Sequence, residues 1–328
     1  MNVVHESVQP SGSWAVSWRR IIVTREITLL GLIAIVVLAM SLASPYFFSA
    51  SNFRAMAIGL VPAAIIAVGM SLLLVSGGFD LSVGSVLALT GTILALLVVK
   101  GVPVALALLL TAAAGACIGL VNGILVTRLS VNPLVATLAT MSAARGFALV
   151  LTEGYSISGL PPSFGLLGTA SWLGIPVMVL IALAVVALGD LSLRHTRAMR
   201  QLYYIGSNET AARLSGIRVD LVRVVGYVAT SLLATLSGAL LASRLMAGTP
   251  TAGSGLELQV LAAAVIGGAS LRGGEGTVLG AFLGVVFVAL INNAMTMLAV
   301  SIYWQMVVIG VVLAVAVALD MLVRRHQG

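Results

Sequence analysis

Between Asp190 and Arg223 a greasy chain turns polar and basic, and inside that break lies Gly206-Ser-Asn-Glu-Thr-Ala-Ala-Arg-Leu-Ser-Gly216. These residue types suit recognition rather than catalysis. The segment reads as two turns of helix between glycines. Asn208 is placed to cap its start, Glu209 suits the positive N-terminal end, and Gly216 suits a left-handed stop. Ala211, Ala212 and Leu214, with Arg213 among them, give a small apolar surface too short to hold a helix unaided. A charged helix held out from an apolar chain calls for a soluble protein to dock on it.

Other polar groups sit in glycine-rich breaks or within apolar runs. Gly77-Gly-Phe-Asp-Leu-Ser-Val-Gly-Ser85 and Gly267-Gly-Ala-Ser-Leu-Arg-Gly-Gly-Glu-Gly276 each open the helix, and unwound backbone at membrane depth needs protein or a water-filled path to cover it. Gly77 and Gly78 form the first opening. Asp80 and Ser82 either cap the next helix in a purely structural turn or line and gate a polar path. Arg145 either snorkels to the headgroups or pairs with Glu153 or a neighbouring carbonyl to fix an outer gate. Asn292 and Asn293 fall mid-run, where amides need partners. They bond between helices or line a polar path. Covalent chemistry has no residues to support it. Lys100 is the one lysine, and Gly101 after it breaks the Gly-Lys-Ser/Thr of a P-loop. No His-Glu-x-x-His occurs, and His5, His195 and His326 lie at termini or in the polar break, away from any serine in an apolar run. No catalytic residue, metal ligand or bound cofactor is assigned, and the chain is not expected to be an enzyme.

Apolar helices must hold these residues. Of 328 residues 60% are hydrophobic and 8% charged, too little charge to solubilise a soluble domain of this size. Apolar runs of about 18–24 residues, each able to cross a bilayer, recur near 27–48, 57–76, 81–99, 103–126, 134–152, 174–192, 222–243, 257–270, 277–299 and 302–322. The fold class is an all-α integral membrane protein of about ten spans, with the eighth the weakest. Residues 1–26 and 323–328 flank the membrane domain 27–322, and 194–221 is its polar cytoplasmic segment.

The basic residues orient the spans. Arg19, Arg20, Arg25, Arg128, Arg194, Arg197, Arg200, Arg213, Arg218, Arg223, Arg272, Arg324 and Arg325 collect inside, against Arg54, Lys100, Arg145 and Arg244 outside. Both termini are then cytoplasmic. The sequence pI of about 10.3 follows from this orientation and carries no argument for nucleic acid. The first run is too long for a signal-peptide core, and Cys117, alone in mid-span, forms no disulfide framework. Gly115, Gly119 and Gly123 suit close helix packing, and Trp14, Trp18 and Trp304 suit interfacial anchoring. Asp80, Arg145 and Asp320, with Glu153 and Glu257 at outer edges, are a thin inventory for a proton relay, so energy is expected from a separate subunit.

The same segments resemble a known family. Gly77–Ser85, Asn132-Pro-Leu-Val-Ala-Thr-Leu-Ala-Thr-Met-Ser-Ala-Ala-Arg-Gly146, Tyr204–Ile217 and Val265–Gly280 are similar, in order and over nearly the whole chain, to membrane permeases of ribose-type sugar ATP-binding cassette importers. The resemblance implies that 206–216 is the coupling helix, seated in a groove of a cytoplasmic ATPase that binds the ATP and magnesium. It further implies two permease subunits, alike or different, and an extracytoplasmic sugar-binding protein docking on outer loops such as 153–173. The setting is a bacterial inner membrane. Branched-chain amino-acid permeases are the nearest rival. Asp80 and Ser82 favour the sugar branch, although Phe79 replaces its common Ile.

Overall fold

The apolar runs form, in a computed structural model, the helices α1 (Trp14–Ala43), α2 (Ala50–Val75), α3 (Val83–Val99), α4 (Val104–Thr127) and α5 (Pro133–Thr152). A structured loop follows, holding the short α6 (Leu166–Thr169) and a two-stranded hairpin of β1 (Ser171–Trp172) and β2 (Ile175–Pro176). The chain continues as α7 (Val177–His195), α8 (Arg197–Ser207), α9 (Glu209–Leu214), α10 (Val219–Leu245), α11 (Leu256–Ile266) and α12 (Val278–Met297). The structure describes residues 14–318 apart from 302, 309, 312, 313 and 315–317, and of residues 14–25 the backbone alone. The expected span 302–322 therefore lies largely outside the described residues. So do most of segment 1–26, the tail 323–328, Asp320, Arg324, Arg325, and the side chains of Trp14, Trp18, Arg19, Arg20 and Arg25.

Among the described residues seven helices are long and apolar enough to cross a membrane: α2, α4, α5, α7, α10, α12 and the 26–43 part of α1. The expected third and eighth spans do form helices, α3 and α11, but they are short at 17 and 11 residues. The shortening follows from the glycines. Gly77 follows α2, Gly253 and Gly255 precede α11, and Gly268 follows it, and all four take positive φ, a backbone that no helix runs through.

α2 and α10 form the centre. Every residue from Val61 to Val75 is buried. In the most apolar window of α2 78% of residues are buried, against 22% in those of α4, α5 and α7. The outer helices turn Leu109, Phe147 and Leu188 outward, each more than 60% exposed, a surface that suits lipid rather than water. α4 lies against α10 along Gly115, Gly119 and Gly123, as their spacing suggests. A Cβ on Gly119 would come within 2.7 Å of Tyr227 O and Val228 Cα. At one end the loop between α5 and α7 folds over the bundle. Ile157 bridges Gly248, Ser243 Oγ donates to Phe164 O at 2.7 Å, and Arg54 donates to Ser171 Oγ at 2.8 Å.

Candidate functional site

Three of the motifs meet at the end opposite that loop. Gly77 follows the last turn of α2. Gly206 lies inside the last turn of α8, and Gly273 and Gly274 turn the loop between α11 and α12 with φ of 90° and 79°. Gly274 N donates to Val75 O at 2.9 Å. A Cβ on Gly206 would collide with Val75 O and Gly274 N, and one on Gly273 would reach Gly77 N at 2.8 Å and Gly206 Cα at 2.9 Å. Backbone lies directly on backbone here, so the three segments cannot shift independently. Tyr203 Oη donates to Gly276 O at 2.7 Å, stapling α8 to the same loop, and burial pushes its phenol up to about 12. Gly206 was expected to open the polar helix. Instead α8 runs through it, because glycine is needed there for contact rather than for a turn, and the break comes at Asn208.

α9 hangs from this knot. Asn208 Oδ1 accepts from Ala211 N at 3.0 Å, the expected cap. Gly216, at φ 81°, makes the expected left-handed stop. Ala212 is buried with Ile205 and Val219, whereas Leu214 is 85% exposed, and Ala211 and Arg213 also face outward. Four charges fix the helix. Glu209 pairs with Arg213 at 2.9 Å and Arg223 at 2.8 Å, and Arg213 pairs with Asp220 at 2.6 Å. Arg223 also donates to Ser76 O at 3.2 Å, so one guanidinium joins α9 to the end of α2. Partial burial raises the Glu209 carboxyl, but Arg213 and Arg223 outweigh it and hold the group below its usual range. Hydrogen bonds to Asp220 first and Glu209 second push the Arg213 guanidinium up. A cavity of about 340 Å³ opens between these charges, Ser76–Gly78 and the turn from α4 to α5 at Asn132.

The Gly77–Ser82 turn leads inward. Asp80 and Ser82 are completely buried. Ser82 was expected to share in capping α3 but makes no cap bond. Its N–H and hydroxyl both donate to Asp80 Oδ1, at 2.7 and 2.6 Å. Asn122 of α4 donates to Ser82 Oγ at 3.0 Å and Asp80 Oδ2 at 3.3 Å, and accepts from Thr140 of α5 at 2.6 Å. The turn is thus tied to two spans. Asn122 and Thr140 were not singled out from the sequence. Their signal was an amide in an apolar run and a hydroxyl one span later. Asn122 stands six residues before the end of α4 at Arg128, which sets the network about 9 Å inside that end.

Arg145 does not reach Glu153. Its Nη1 donates to Pro250 O at 2.6 Å and Ala252 O at 2.9 Å, the neighbouring-carbonyl alternative. Asn293 and Asn52 exchange amide hydrogen bonds of 2.7 and 3.3 Å between α12 and α2, while Asn292 Oδ1 is buried without a partner.

Long apolar helices, irregular backbone sunk among them and a charged helix pair at one end define a multi-pass membrane protein. Residues 52–317 match the family described as branched-chain amino acid transport system / permease component. The chain belongs to that permease family. It is 42% identical over 289 residues to the ribose import permease protein RbsC of Bacillus subtilis, covering 87% of this chain and 89% of that one. With the ribose import permease protein RbsC of Escherichia coli K12 it shares 41% over 298 residues, covering 90% and 92%. With the L-arabinose transport system permease protein AraH of the same strain the identity is 35% over 291 residues, 88% of each chain. No solved structure matches significantly.

Proposed function

We propose that this chain is the translocation subunit of an ATP-driven importer that carries a monosaccharide across a bacterial inner membrane. The observation that carries the reading is α9, a capped six-residue helix presenting Ala211, Arg213 and Leu214 outward from the Gly77–Gly206–Gly273 contact. A groove on a cytoplasmic ATP-binding cassette ATPase fits that surface. Its motion would pass through Gly206 and Arg223 to the end of α2. Gly206, Asn208, Glu209, Ala211, Ala212, Arg213, Leu214 and Gly216 are then the coupling residues. Gly77, Gly78, Asp80, Ser82 and Arg145 transmit to the path or gate it, with Asn292 and Asn293 as further polar candidates. The ATPase binds the ATP and magnesium, and this chain needs no cofactor. A sugar-binding protein delivers substrate outside, a second permease completes the path, lipid surrounds it, and nucleic acid has no part. α3, α11 and 302–322 complete ten spans in the membrane domain 27–322. Segments 1–26, 194–221 and 323–328 are cytoplasmic.

Sugar is preferred over branched-chain amino acids because the most similar relatives cited are named for ribose and arabinose, and because Asp80 and Ser82 fit that branch. Co-purification in mild detergent tests the coupling. Wild type should retain a stoichiometric ATPase and Glu209→Arg should lose it. A folded chain that holds no ATPase in either form would leave a secondary carrier as the better reading.

A further inference from the structure

The segment between α10 and α11 runs down into the bundle instead of crossing its surface. A Cβ on Gly248 would meet Ala95 Cβ at 2.6 Å and Thr92 Cα at 3.1 Å, in the middle stretch of α3. Five residues on, a Cβ on Gly253 would meet Gly84 O at 3.0 Å, at the start of the same helix. Gly84 is 16 residues before Lys100, so the segment reaches about 24 Å below the outer end of α3. Arg145, seven residues before Thr152, grips it at Pro250 O and Ala252 O about 10 Å below the outer end of α5. Both depths fall within a hydrocarbon core about 30 Å thick.

Thr251, Ser254 and Gly255 are nonetheless exposed. Ser254 Oγ donates to Thr251 O at 2.8 Å, but exposed irregular backbone at this depth does not face lipid, which would leave its own polar groups uncovered. Glu257, at the start of α11, adds a carboxylate to the patch. Its Oε1 accepts from Gly255 N at 3.2 Å, while Oε2 is buried against Gly84 with no donor. Arg145 Nη1 is engaged with two carbonyls, which commits that nitrogen to holding the segment.

We infer that Thr251, Ser254 and Glu257 form a station in the membrane for a neutral polyhydroxyl substrate, lining a water-filled path, with Arg145 as the positioning residue that holds the segment in place. The inference rests on the importer reading for its substrate class, but its geometry stands apart from it. Acceptor-rich and hydroxyl-bearing, the patch suits a sugar better than an anion or a zwitterion.

Cysteine accessibility tests this in the assembled complex in vesicles. Thr251→Cys and Ser254→Cys are near-isosteric and are made in a Cys117→Ser background, because Cys117 is exposed. Leu183→Cys, on the apolar face of α7, is the control. A membrane-impermeant cationic methanethiosulfonate should modify positions 251 and 254 but not 183, and modification should abolish ribose uptake. Silence at both positions from both sides, in a complex whose Cys117→Ser parent takes up ribose with ATP, overturns the inference and leaves the importer reading intact. Labelling at both positions in a complex that carries no sugar keeps the water-filled path and removes the importer reading instead.

Discussion

Two segments break the helices at membrane depth, Gly77–Ser82 and Thr249–Gly255, and they solve the same problem in opposite ways. In the first the side chains of Asp80 and Ser82 are wholly buried, and Asp80 is bonded to Ser82 and Asn122. In the second Thr251, Ser254 and Gly255 stand exposed, and the bracing comes from one guanidinium on another helix. Unwound backbone in lipid needs cover. The inner turn takes its cover from protein, which makes it a rigid link. The outer segment lacks such cover on one side, the side proposed to face water and substrate. A polar residue in an apolar run therefore says little about function until its exposure is known.

Substitutions should separate the two segments. Asp80→Leu strands donors on Ser82 and Asn122 inside the bundle and should cost about 3 kcal/mol, read as a lowered unfolding midpoint in detergent with ATPase retention lost alongside. Gly206→Val forces a side chain into Val75 O and Gly274 N. It should cost about 2 kcal/mol and abolish uptake while chain remains in the membrane. Arg145→Lys keeps the charge but shortens the reach to the two carbonyls that Nη1 holds. Its stability cost should be about 1 kcal/mol, yet uptake should fall far more than the unfolding midpoint does. Equal losses in both would place Arg145 with the structural turn. Asn293→Ala removes an amide pair between helices and should cost only about 0.6 kcal/mol, with uptake kept.

The proposed coupling surface adds a pH prediction. Glu209 has a carboxyl held below its ordinary value of 4.5 in the folded protein, so its ion pairs contribute fully above that value. The contribution is lost only as pH falls through the depressed value. ATPase retention should therefore be flat from neutral pH down to about 5. A loss between pH 7 and 6 would point to a different group.

Features set by nearby residues were legible in the sequence. The cap at Asn208, the stop at Gly216, the apolar runs and the Gly115–Gly119–Gly123 face need only local spacing. What escaped notice depends on contacts between distant segments. Gly206 reads as a helix boundary, and only its neighbours Val75 and Gly274 reveal it as a contact point. Arg145 finds its carbonyls more than 100 residues further on. Glu257, read as an outer-edge residue, sits beside Gly84 because the chain dips before α11 begins. Asn122 and Thr140 gain meaning only once Asp80 is placed between their helices.

The most direct test is sugar uptake into vesicles reconstituted with this chain, its ATPase and its binding protein, comparing wild type with Glu209→Arg. The account predicts that the sugar carried by the binding protein enters wild-type vesicles only with ATP, that its entry is insensitive to an uncoupler, and that it does not enter the variant's. Entry into vesicles holding this chain alone, collapsed by an uncoupler, would contradict it.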